Sequence, residues 1–431
     1  MKIIQKTIIS KVILTDEQKE LNYKIREALR KTWNKAIELQ KASYDKKEGY
    51  IKPNDLDTYF RKIKNKEGYE YIKECKCSAR QHMLQDLDKA YKRFFEGKTN
   101  VPHFKSFRCP IMSIYLPHKK EKYGIDYINQ YTFHIPYFKK VKLSRPISIS
   151  DNCRILAGRL VTKVTGDVYL HILIELPAKN TTDLTEPIGI DLGVKKLATF
   201  NKPIKDFSFS NGKLEVSSYP KLNNINGHIS HYENRIRRLN RAYSKKVEAH
   251  KKMYLDELTS LIMQKRSLDE NIYRSKMRSI WYKTYHSKNM DKIILKKNKL
   301  YQKITNIRRD YERKIIASII NNRPSYIVIE DIDIKGLIEN SPSNKITKSI
   351  YDSRWFYFRE WLTKKCNEYS IELRIADRGF LSTQICSKCG HIHKHLKLTD
   401  RTYICEACGY TEDRDINAAI NLVNTNNYDI A

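Results

Sequence analysis

Apolar and polar residues alternate along the first fourteen positions of the chain, and this period of two predicts a β-strand over residues 1–14. Thr15 and Gln18 follow with the spacing of a capping box, which predicts that a helix begins there. The apolar residues beyond this point recur in steps of four, as they do on one face of a helix: Leu21, Ile25, Leu29, Trp33 and Ile37. A strand followed by an amphipathic helix is therefore expected.

A second amphipathic helix is predicted from Ser78 to about Glu96, and Gly97 is expected to end it. The apolar face of this helix would contain Leu84, Leu87, Tyr91, Phe94 and Phe95. The opposite face would be basic and contain Arg80, Lys89, Lys92 and Arg93. Residues 16–106 are therefore expected to form a basic helical domain.

The pattern then changes to a period of two. The segments YTFHI and VKL alternate, and LVTKVTGDVYLHILIEL predicts a hairpin that turns at Gly166 and Asp167. Residues 107–180, together with 1–15, are therefore expected to form a β-rich domain. The polar run AKNTTDLTEP is predicted to be a linker.

An α/β pattern follows from Ile188 onwards. Three strands are predicted first, ending at Asp191, at LATF, and near DFSFS or KLEVSS, and a long helical stretch comes next. A strand ending at Glu330, a helix with Cys366 on its apolar stripe, the strand IELRIA and a closing helix near Asp415 complete the series. This order is typical of an RNase H-like α/β domain, whose acidic residues gather at one edge of the sheet.

Charge indicates the kind of partner. The 431 residues include 82 Lys+Arg against 49 Asp+Glu, a formal net charge of +33, which favours a polyanion and above all nucleic acid. A membrane partner is not expected, because we find no apolar run of 18 residues, signal peptide or lipidation signal. Residues 222–320 contain two basic helical segments, ENRIRRLNRAYSKK and KKNKLYQKITNIRRDYERK. Solvated helices would explain them, but the interleaved tyrosines favour a surface that follows phosphates.

Four of the nine cysteines form two CxxC pairs with fifteen residues between them: Cys386, Cys389, Cys405 and Cys408. This spacing predicts a structural Zn²⁺ site, because four thiolates leave zinc no open position. The histidines between the pairs are not needed as ligands: His391, His393 and His395. The other five cysteines have no framework spacing, which favours a reducing cytosol: Cys75, Cys77, Cys109, Cys153 and Cys366.

Three carboxylates lie at the edges of predicted elements. Asp191 and Glu330 end buried strands, and Asp415 begins a helix, so the three are candidates to hold two Mg²⁺ ions. We hypothesise that one ion activates water and that the other stabilises the leaving 3′ oxygen of a phosphodiester, which would leave a 5′ phosphate. The glycines on either side of Asp191, Gly189 and Gly193, fit a close approach to a backbone or a phosphate.

Neighbouring acidic residues compete with this set: Asp331, Asp333, Glu412 and Asp413. Alternation along a strand directs Glu330 and Asp331 to opposite faces, so only one of them can reach a shared metal. Glu412 and Asp413 are expected in a solvated acidic loop. Arg414 is left with two roles, a phosphate clamp or a carboxylate partner.

Taken together and in this order, GIDLGVKKLAT, IVIEDI, the CSKCG and CEACG pairs and DRDINAAINL resemble the three split motifs and zinc ribbon of a RuvC-type nuclease. The arrangement is similar to the TnpB (OrfB) family of transposon-encoded nucleases, and SARQHMLQDLDKAYKRFFEGKTNVPHFKS extends the resemblance upstream. Matched residue by residue, Asp191, Glu330 and Asp415 correspond to the family's Mg²⁺-binding carboxylates, with Glu330 favoured over Asp331. The four cysteines correspond to its zinc ligands.

The resemblance implies an α+β multidomain fold. A β-barrel wedge domain (1–15 and 107–180) would be interrupted by a helical recognition domain (16–106). A RuvC-like nuclease domain (186–383 and 411–431) would contain a basic helical insert at 222–320 and a zinc ribbon at 384–410. The segment between the first two motifs is longer than expected for a compact member, with the excess around 245–290.

The resemblance further implies an RNA-guided DNA endonuclease that pairs a noncoding guide RNA with target double-stranded DNA beside a short motif. Such a protein would act in a prokaryotic cytosol, and its oligomeric state stays open. A miniature type V CRISPR effector shares the same motifs and is the first alternative. A guided repressor that does not cut, an RNA-independent transposase and a zinc-ribbon DNA-binding protein are the others.

Overall fold

In a computed structural model of the protein, the chain divides into two compact units, Met1–Pro177 and Ala178–Ala431. The division lies at the start of the predicted linker. The structure describes residues 2–106, 112–118, 124–179, 182–194, 196–204, 215–217, 223–396 and 400–431. Cys109, Lys195 and the segment DFSFS, all considered above, lie outside the described residues.

The first unit combines seven strands with four helices. Its strands are β1 (Ile3–Ile13), β2 (Ser113–Pro117), β3 (Asp126–Asn129), β4 (Thr132–Ile135), β5 (Lys139–Leu143), β6 (Arg154–Thr162) and β7 (Val168–Pro177). Its helices are α1 (Asp16–Asp45), α2 (Pro53–Ile63), α3 (Tyr71–Glu74) and α4 (Cys77–Phe95). The strands form one antiparallel sheet in the order β2-β6-β7-β1-β5-β4-β3. An isolated parallel bridge links His118 and Ile125, the residues next to the edge strands β2 and β3.

Most local predictions for this unit are confirmed. The Thr15 side chain accepts from the Gln18 backbone at 3.2 Å, and the Gln18 side chain accepts from the Thr15 backbone at 3.1 Å. The predicted hairpin is β6–β7, with Gly166 in the left-handed region at φ 82°. Helices and strands share one hydrophobic core, so the separate wedge and helical domains stay a prediction.

Two expectations about α4 are wrong. Arg80 is buried, because its Nε donates to the buried Asp57 carboxylate at 2.7 Å, so it does not belong to the basic surface. Phe95 is 62% exposed, since it lies at the end of the helix and stacks on Tyr91 instead of entering the core.

The second unit contains a six-stranded sheet, a hairpin and eight helices among its described residues. Its strands are β8 (Ile188–Asp191), β9 (Lys196–Phe200), β10 (Glu215–Ser217), β11 (Tyr326–Glu330), β12 (Glu372–Ala376), β13 (Thr402–Ile404), β14 (Thr411–Asp413) and β15 (Tyr428–Ile430). Its helices are α5 (Asn223–Met253), α6 (Leu255–Met263), α7 (Glu270–Tyr285), α8 (Lys288–Asn321), α9 (Ile334–Glu339), α10 (Asn344–Ser353), α11 (Trp355–Tyr369) and α12 (Arg414–Asn424).

The sheet order is β10-β9-β8-β11-β12-β15, in which β8, β11 and β12 run parallel and the remaining pairs are antiparallel. Both faces of β11 are buried: Ile327 and Ile329 belong to the main core, while Val328 packs with Leu422 of α12. A strand covered on both faces has a continuous apolar sequence, as YIVIE does.

Three features of this unit differ from the predictions. The basic insert forms four helices, α5 to α8, and not two. The edge strand β15 was not predicted. Glu412 and Asp413 belong to β14, which pairs with β13, so the acidic loop expected there is wrong. Within the described residues, no helix combines the length and apolar composition needed to cross a bilayer.

Candidate active site and metal centre

Asp191 and Glu330 lie side by side at the carboxyl ends of neighbouring parallel strands. The register pairs Ile190 of β8 with Ile329 of β11, so the next residue on each strand is one of the two carboxylates. Parallel strands end at the same edge of a sheet, which explains why residues far apart in sequence meet here.

Asp415 reaches the same edge from α12, which packs directly on β8. A Cβ added to Gly189 would lie 2.0 Å from the carbonyl oxygen of Ala419, so only glycine permits this approach. The sequence prediction that Gly189 serves a close backbone contact is confirmed. Asp415 is the second residue of α12, and its side chain is buried.

The three carboxylates influence one another electrostatically. Burial raises the pKa of Asp191 well above its usual value, and the negative charges of Glu330 and Asp415 raise it further. Burial, with a smaller contribution from Asp415, raises the pKa of Glu330 to about 7, although a hydrogen bond from the Leu192 backbone acts against it. Asp191 and Glu330 therefore hold protons more tightly than isolated carboxylates do.

Positive side chains surround Asp415. Arg414 Nη2 lies 3.1 Å from its Oδ1, while Arg401 Nη1 and Lys196 Nζ lie 3.7 and 3.8 Å from its Oδ2. Of the two roles considered for Arg414, phosphate clamp or carboxylate partner, the structure supports the second, because its guanidinium pairs with Asp415. Lys196 also contacts Glu215 at 2.6 Å and so connects β9, β10 and α12.

The competing acidic residues have other partners. Asp331 accepts from Arg359 at 2.6 Å and from Arg378 at 2.8 Å. Burial acts to raise the pKa of Asp331, but these two hydrogen bonds outweigh it and lower the pKa. Asp333 caps α9 by accepting from the Gly336 backbone at 3.1 Å. Both are therefore engaged away from the three carboxylates.

Asp413 is the N-cap of α12. Its Oδ1 accepts from the backbone N–H groups of Asp415 at 2.8 Å and Ile416 at 3.3 Å. Its Oδ2 lies 3.1 Å from Lys196 Nζ. Asp413 therefore fixes the first turn that carries Asp415 and is not itself left free for a ligand.

The four predicted cysteines form a compact cluster. Their Sγ atoms all lie within 4.8 Å of one another, with Cys389 3.5 Å from Cys405 and Cys386 3.8 Å from Cys408. A tetrahedral zinc site with Zn–S bonds of about 2.3 Å has S···S distances of about 3.8 Å. The cluster therefore has the dimensions of a four-thiolate zinc site.

Among the described residues, no other group of His, Cys, Asp or Glu is drawn together within that limit. His391 and His393 lie 3.8 and 3.6 Å from Glu406 and stay outside the cysteine cluster, as the sequence predicts. The three carboxylates are also more widely spaced than the thiols. Two metal ions about 3.5–4 Å apart would need such a wider set of ligands.

Two buried asparagines, which sequence reasoning missed, join the cysteine cluster to α12. Asn417 Nδ2 donates to the Ile385 carbonyl at 2.7 Å, and its Oδ1 accepts from the Ser387 backbone at 3.0 Å. Asn421 Nδ2 donates to the same Ile385 carbonyl at 2.7 Å. The two asparagines are four residues apart on an otherwise apolar helix face, and this spacing could have indicated from the sequence that they act together.

The chain is similar in sequence to several known proteins. Residues 355–422 match the family model "Cas12f1-like, TNB domain". The "Putative RNA-guided DNA endonuclease" of Streptomyces pristinaespiralis is 23% identical over 95% of this chain and 86% of its own length. The "Putative RNA-guided DNA endonuclease InsQ" of Escherichia coli K12 is 23% identical over 92% of this chain and 86% of its own length.

Structural and further sequence comparisons extend the result. The Cas12f1 chain in a complex with sgRNA and target DNA has a TM-score of 0.54 and 14% identity, covering 98% of this chain and 99% of that one. The fold is therefore a Cas12-like α+β multidomain fold. TnpB-like protein L79 of Acanthamoeba polyphaga mimivirus is 29% identical over 32% of this chain and 26% of its own length. In its motifs, its relatives and its fold, the chain is therefore similar to proteins of the TnpB family.

Proposed function

We propose that this protein is an RNA-guided DNA endonuclease whose cutting site consists of Asp191, Glu330 and Asp415. The observation that carries the proposal is the meeting of three carboxylates from two parallel strands and one helix at a single sheet edge. The names of its relatives from Streptomyces pristinaespiralis and Escherichia coli support the same activity.

Magnesium ions fit this site. Burial, and in addition repulsion from the neighbouring carboxylates, raises the pKa values of Asp191 and Glu330, and oxygen ligands are those that Mg²⁺ prefers. When bound, two ions would activate water and stabilise the leaving oxygen of a phosphodiester. The protein's part is to hold the carboxylates on rigid elements, with Asp413 fixing the helix start and Gly189 bringing α12 close.

The sheet order and the cysteine cluster support the RuvC-type part of the proposal. Antiparallel β10, β9 and β8 are followed by parallel β11 and β12, the order expected of an RNase H-like domain. The cysteines at 386–408 would hold a structural Zn²⁺ in a ribbon inserted between β12 and α12. Cysteines that form no disulfide suit a reducing compartment, which supports the predicted prokaryotic cytosol.

A groove between α5 and α8 is a candidate surface for the guide RNA or target DNA. It has a volume of about 470 Å³, and its walls consist of five cations and two leucines: Arg235, Arg238, Lys296, Lys299, Lys303, Leu239 and Leu300. Tyr232 lies beneath Lys303, whose Nζ is 5.3 Å from the ring centroid. Interleaved tyrosines and cations of one sign suit a phosphate backbone.

The decisive experiment is a cleavage assay with the complex of protein and RNA expressed from DNA that flanks its gene. We expect Asp191→Ala to abolish cutting of DNA complementary to that RNA, since a proposed metal ligand is lost, and to leave RNA binding nearly unchanged. Asp310→Ala is the matched control, because Asp310 is 66% exposed and pairs with its helix neighbour Lys314. Cutting by the Asp191→Ala protein would refute the proposed mechanism.

A miniature CRISPR effector is the second candidate, favoured by the match to the Cas12f1-like family model. Sequencing the RNA that copurifies with the protein separates the two. A variable end transcribed from a transposon edge would support the first candidate, and a spacer from a CRISPR array the second.

A further inference from the structure

A cleft of about 210 Å³ lies directly beside the proposed cutting site. Its lining includes the carboxylate residues Glu330 and Asp331, two consecutive aromatic residues at the start of α11, and two arginines: Trp355, Phe356, Arg359 and Arg378. The cleft therefore joins one proposed metal ligand to cationic and aromatic side chains that the proposed metal chemistry does not use.

The two arginines are held in place and still have donors to offer. Arg359 contacts Asp331 through Nη1 at 2.6 Å, and Arg378 contacts it through Nη2 at 2.8 Å. A guanidinium has five N–H donors, and each arginine uses one nitrogen on the shared carboxylate. Their side chains are 41% and 60% exposed, so the remaining donors can reach an anion in the cleft. Because two guanidinium groups share the single Asp331 carboxylate, this cluster of three side chains carries a net positive charge.

The two aromatic residues differ in their exposure to solvent. Trp355 is buried, whereas Phe356 is 67% exposed although it is a large apolar side chain. An exposed aromatic ring beside arginines is the combination that proteins use to stack on an unpaired base while contacting its phosphates.

We propose that this cleft binds a nucleotide next to the cut phosphodiester of a single DNA strand. The base stacks on Phe356, and the flanking phosphate accepts hydrogen bonds from Arg359 and Arg378, which positions the strand against Glu330. This inference rests on the proposed nuclease function and deepens it. It requires the bases around the cut to be unpaired, because a ring stacks in this way only on an exposed base face.

The test uses the protein–RNA complex described above, Mg²⁺ and a target DNA with one abasic site moved across the mapped cut. We expect Phe356→Ala to slow single-turnover cleavage about ten-fold, the effect of losing one stacked base. An abasic site at the stacked position should slow the wild-type protein equally and should not slow Phe356→Ala further. Tyr351→Ala is the matched control, since Tyr351 is 63% exposed in the same unit and does not line the cleft.

A second arm tests the arginines. We expect Arg378→Gln to slow cleavage about ten-fold, and a neutral methylphosphonate beside the cut should cause no further slowing in that variant. Arg323→Gln removes the same charge from a side chain that is 54% exposed and also paired with a carboxylate, Asp183, and it should cut at the wild-type rate. Thermal melts that match the wild-type protein establish that the variants are folded.

The possible outcomes distinguish failure of the proposed nucleotide cleft from failure of the proposed nuclease function. Wild-type rates for Phe356→Ala and Arg378→Gln, or an abasic penalty that is equal in wild type and Phe356→Ala, would overturn the cleft alone. A wild-type complex that cuts no DNA would overturn the nuclease function and the cleft together.

Discussion

At the scale of single residues, the proposed site brings together carboxylates that are shielded from solvent and carry the same negative charge. Glu330 has a pKa raised to about 7 from an ordinary value of 4.5, and the pKa of Asp191 is raised in the same direction. The folded protein therefore binds protons there more tightly than the unfolded chain. Stability from this source is present below pH 4.5 and is lost as the pH rises through about 7.

We expect Glu330→Gln to stabilise the Mg²⁺-free protein above pH 4.5, because glutamine resembles the protonated side chain. Melting temperatures of wild type and variant in buffer without Mg²⁺ should agree near pH 4.5, diverge as the pH rises and differ by a constant amount above about pH 8. Added Mg²⁺ should stabilise the wild-type protein more than the variant at pH 8.

Glu339→Gln is the control for this prediction, since its side chain is 63% exposed and lies on α9. A Glu330→Gln protein whose melting temperature follows that of the wild type at every pH would contradict the electrostatic account.

The sequence predicted that the three carboxylates lie at the ends of elements, and in the structure they lie at the ends of β8 and β11 and at the start of α12. Alternation separated Glu330 from Asp331, and the two arginines on Asp331 agree with that separation. The cations around Asp415 could not be predicted in the same way. Lys196 comes from a distant part of the chain, and Arg401 reaches Asp415 through the pairing of β13 with β14, so neither contact follows from local helix or strand spacing.

At the scale of elements, the approach of α12 to β8 is the critical contact. We expect Gly189→Ala to destabilise the protein, because the new Cβ would lie 2.0 Å from the Ala419 carbonyl oxygen and push the helix away. Overpacking of this kind costs about 3 kcal/mol, a fall in melting temperature of roughly 6–12 °C. DNA cutting should fall with it, since Asp415 moves with α12.

Gly227→Ala is the matched change, because no atom of the described residues lies within 4 Å of its added Cβ in α5. Alanine there should raise stability by roughly 0.5–1 kcal/mol. Equal melting temperatures for the Gly189→Ala and wild-type proteins would show that α12 tolerates the extra methyl group.

The cysteine cluster is expected to hold α12 in place through Asn417 and Asn421. Cys386→Ser, or removal of zinc with a chelator, should increase amide hydrogen exchange in residues 384–410 and also in 414–424. The second effect follows because the Ile385 carbonyl accepts from both asparagines. Cys77→Ser is the control, being an exposed cysteine of the first unit. Unchanged exchange in α12 would mean that the two elements are independent.

Element predictions succeeded where the periodic pattern was long and failed where it was short. The bounds of α4 and the start of α1 were predicted close to where they are observed, and α11 carries the predicted apolar stripe with Cys366. Strands β14 and β15 have three residues each, too few for alternation to be recognised. Their formation depends on the partners that tertiary folding supplies.

At the scale of the whole molecule, the net charge of +33 has a specific candidate location in the α5–α8 groove. We expect the triple variant Lys296→Gln, Lys299→Gln and Lys303→Gln to weaken RNA binding. The plot of log affinity against log salt should become less steep by roughly 0.7 for each phosphate that the groove no longer neutralises. Filter binding over a range of salt concentrations would measure this.

The comparison for this prediction is Lys335→Gln, Lys345→Gln and Lys364→Gln, which removes the same charge from exposed positions on α9, α10 and α11. An equal decrease of slope in the two triple variants would mean that the positive charge acts diffusely and that the groove has no special role.

The chain divides into two units near the shift in composition at residue 178, and within the first unit the separate wedge and helical domains stay a prediction. Residues 1–177 share one core between helices and strands, because the apolar faces of α1 and α4 are completed by residues of the sheet. The pattern of apolar residues identifies the apolar face of a helix, but it does not identify the element that packs against that face.

The order of the three carboxylates along the chain has a consequence for biosynthesis. More than two hundred residues separate Asp191 from Asp415. At about 5–20 residues per second, a ribosome needs roughly 10 to 45 s to travel between them. A chain released just after α8 would carry the basic helices but would lack both Glu330 and Asp415. The proposed metal site is therefore complete only when nearly all of the described chain has been synthesised.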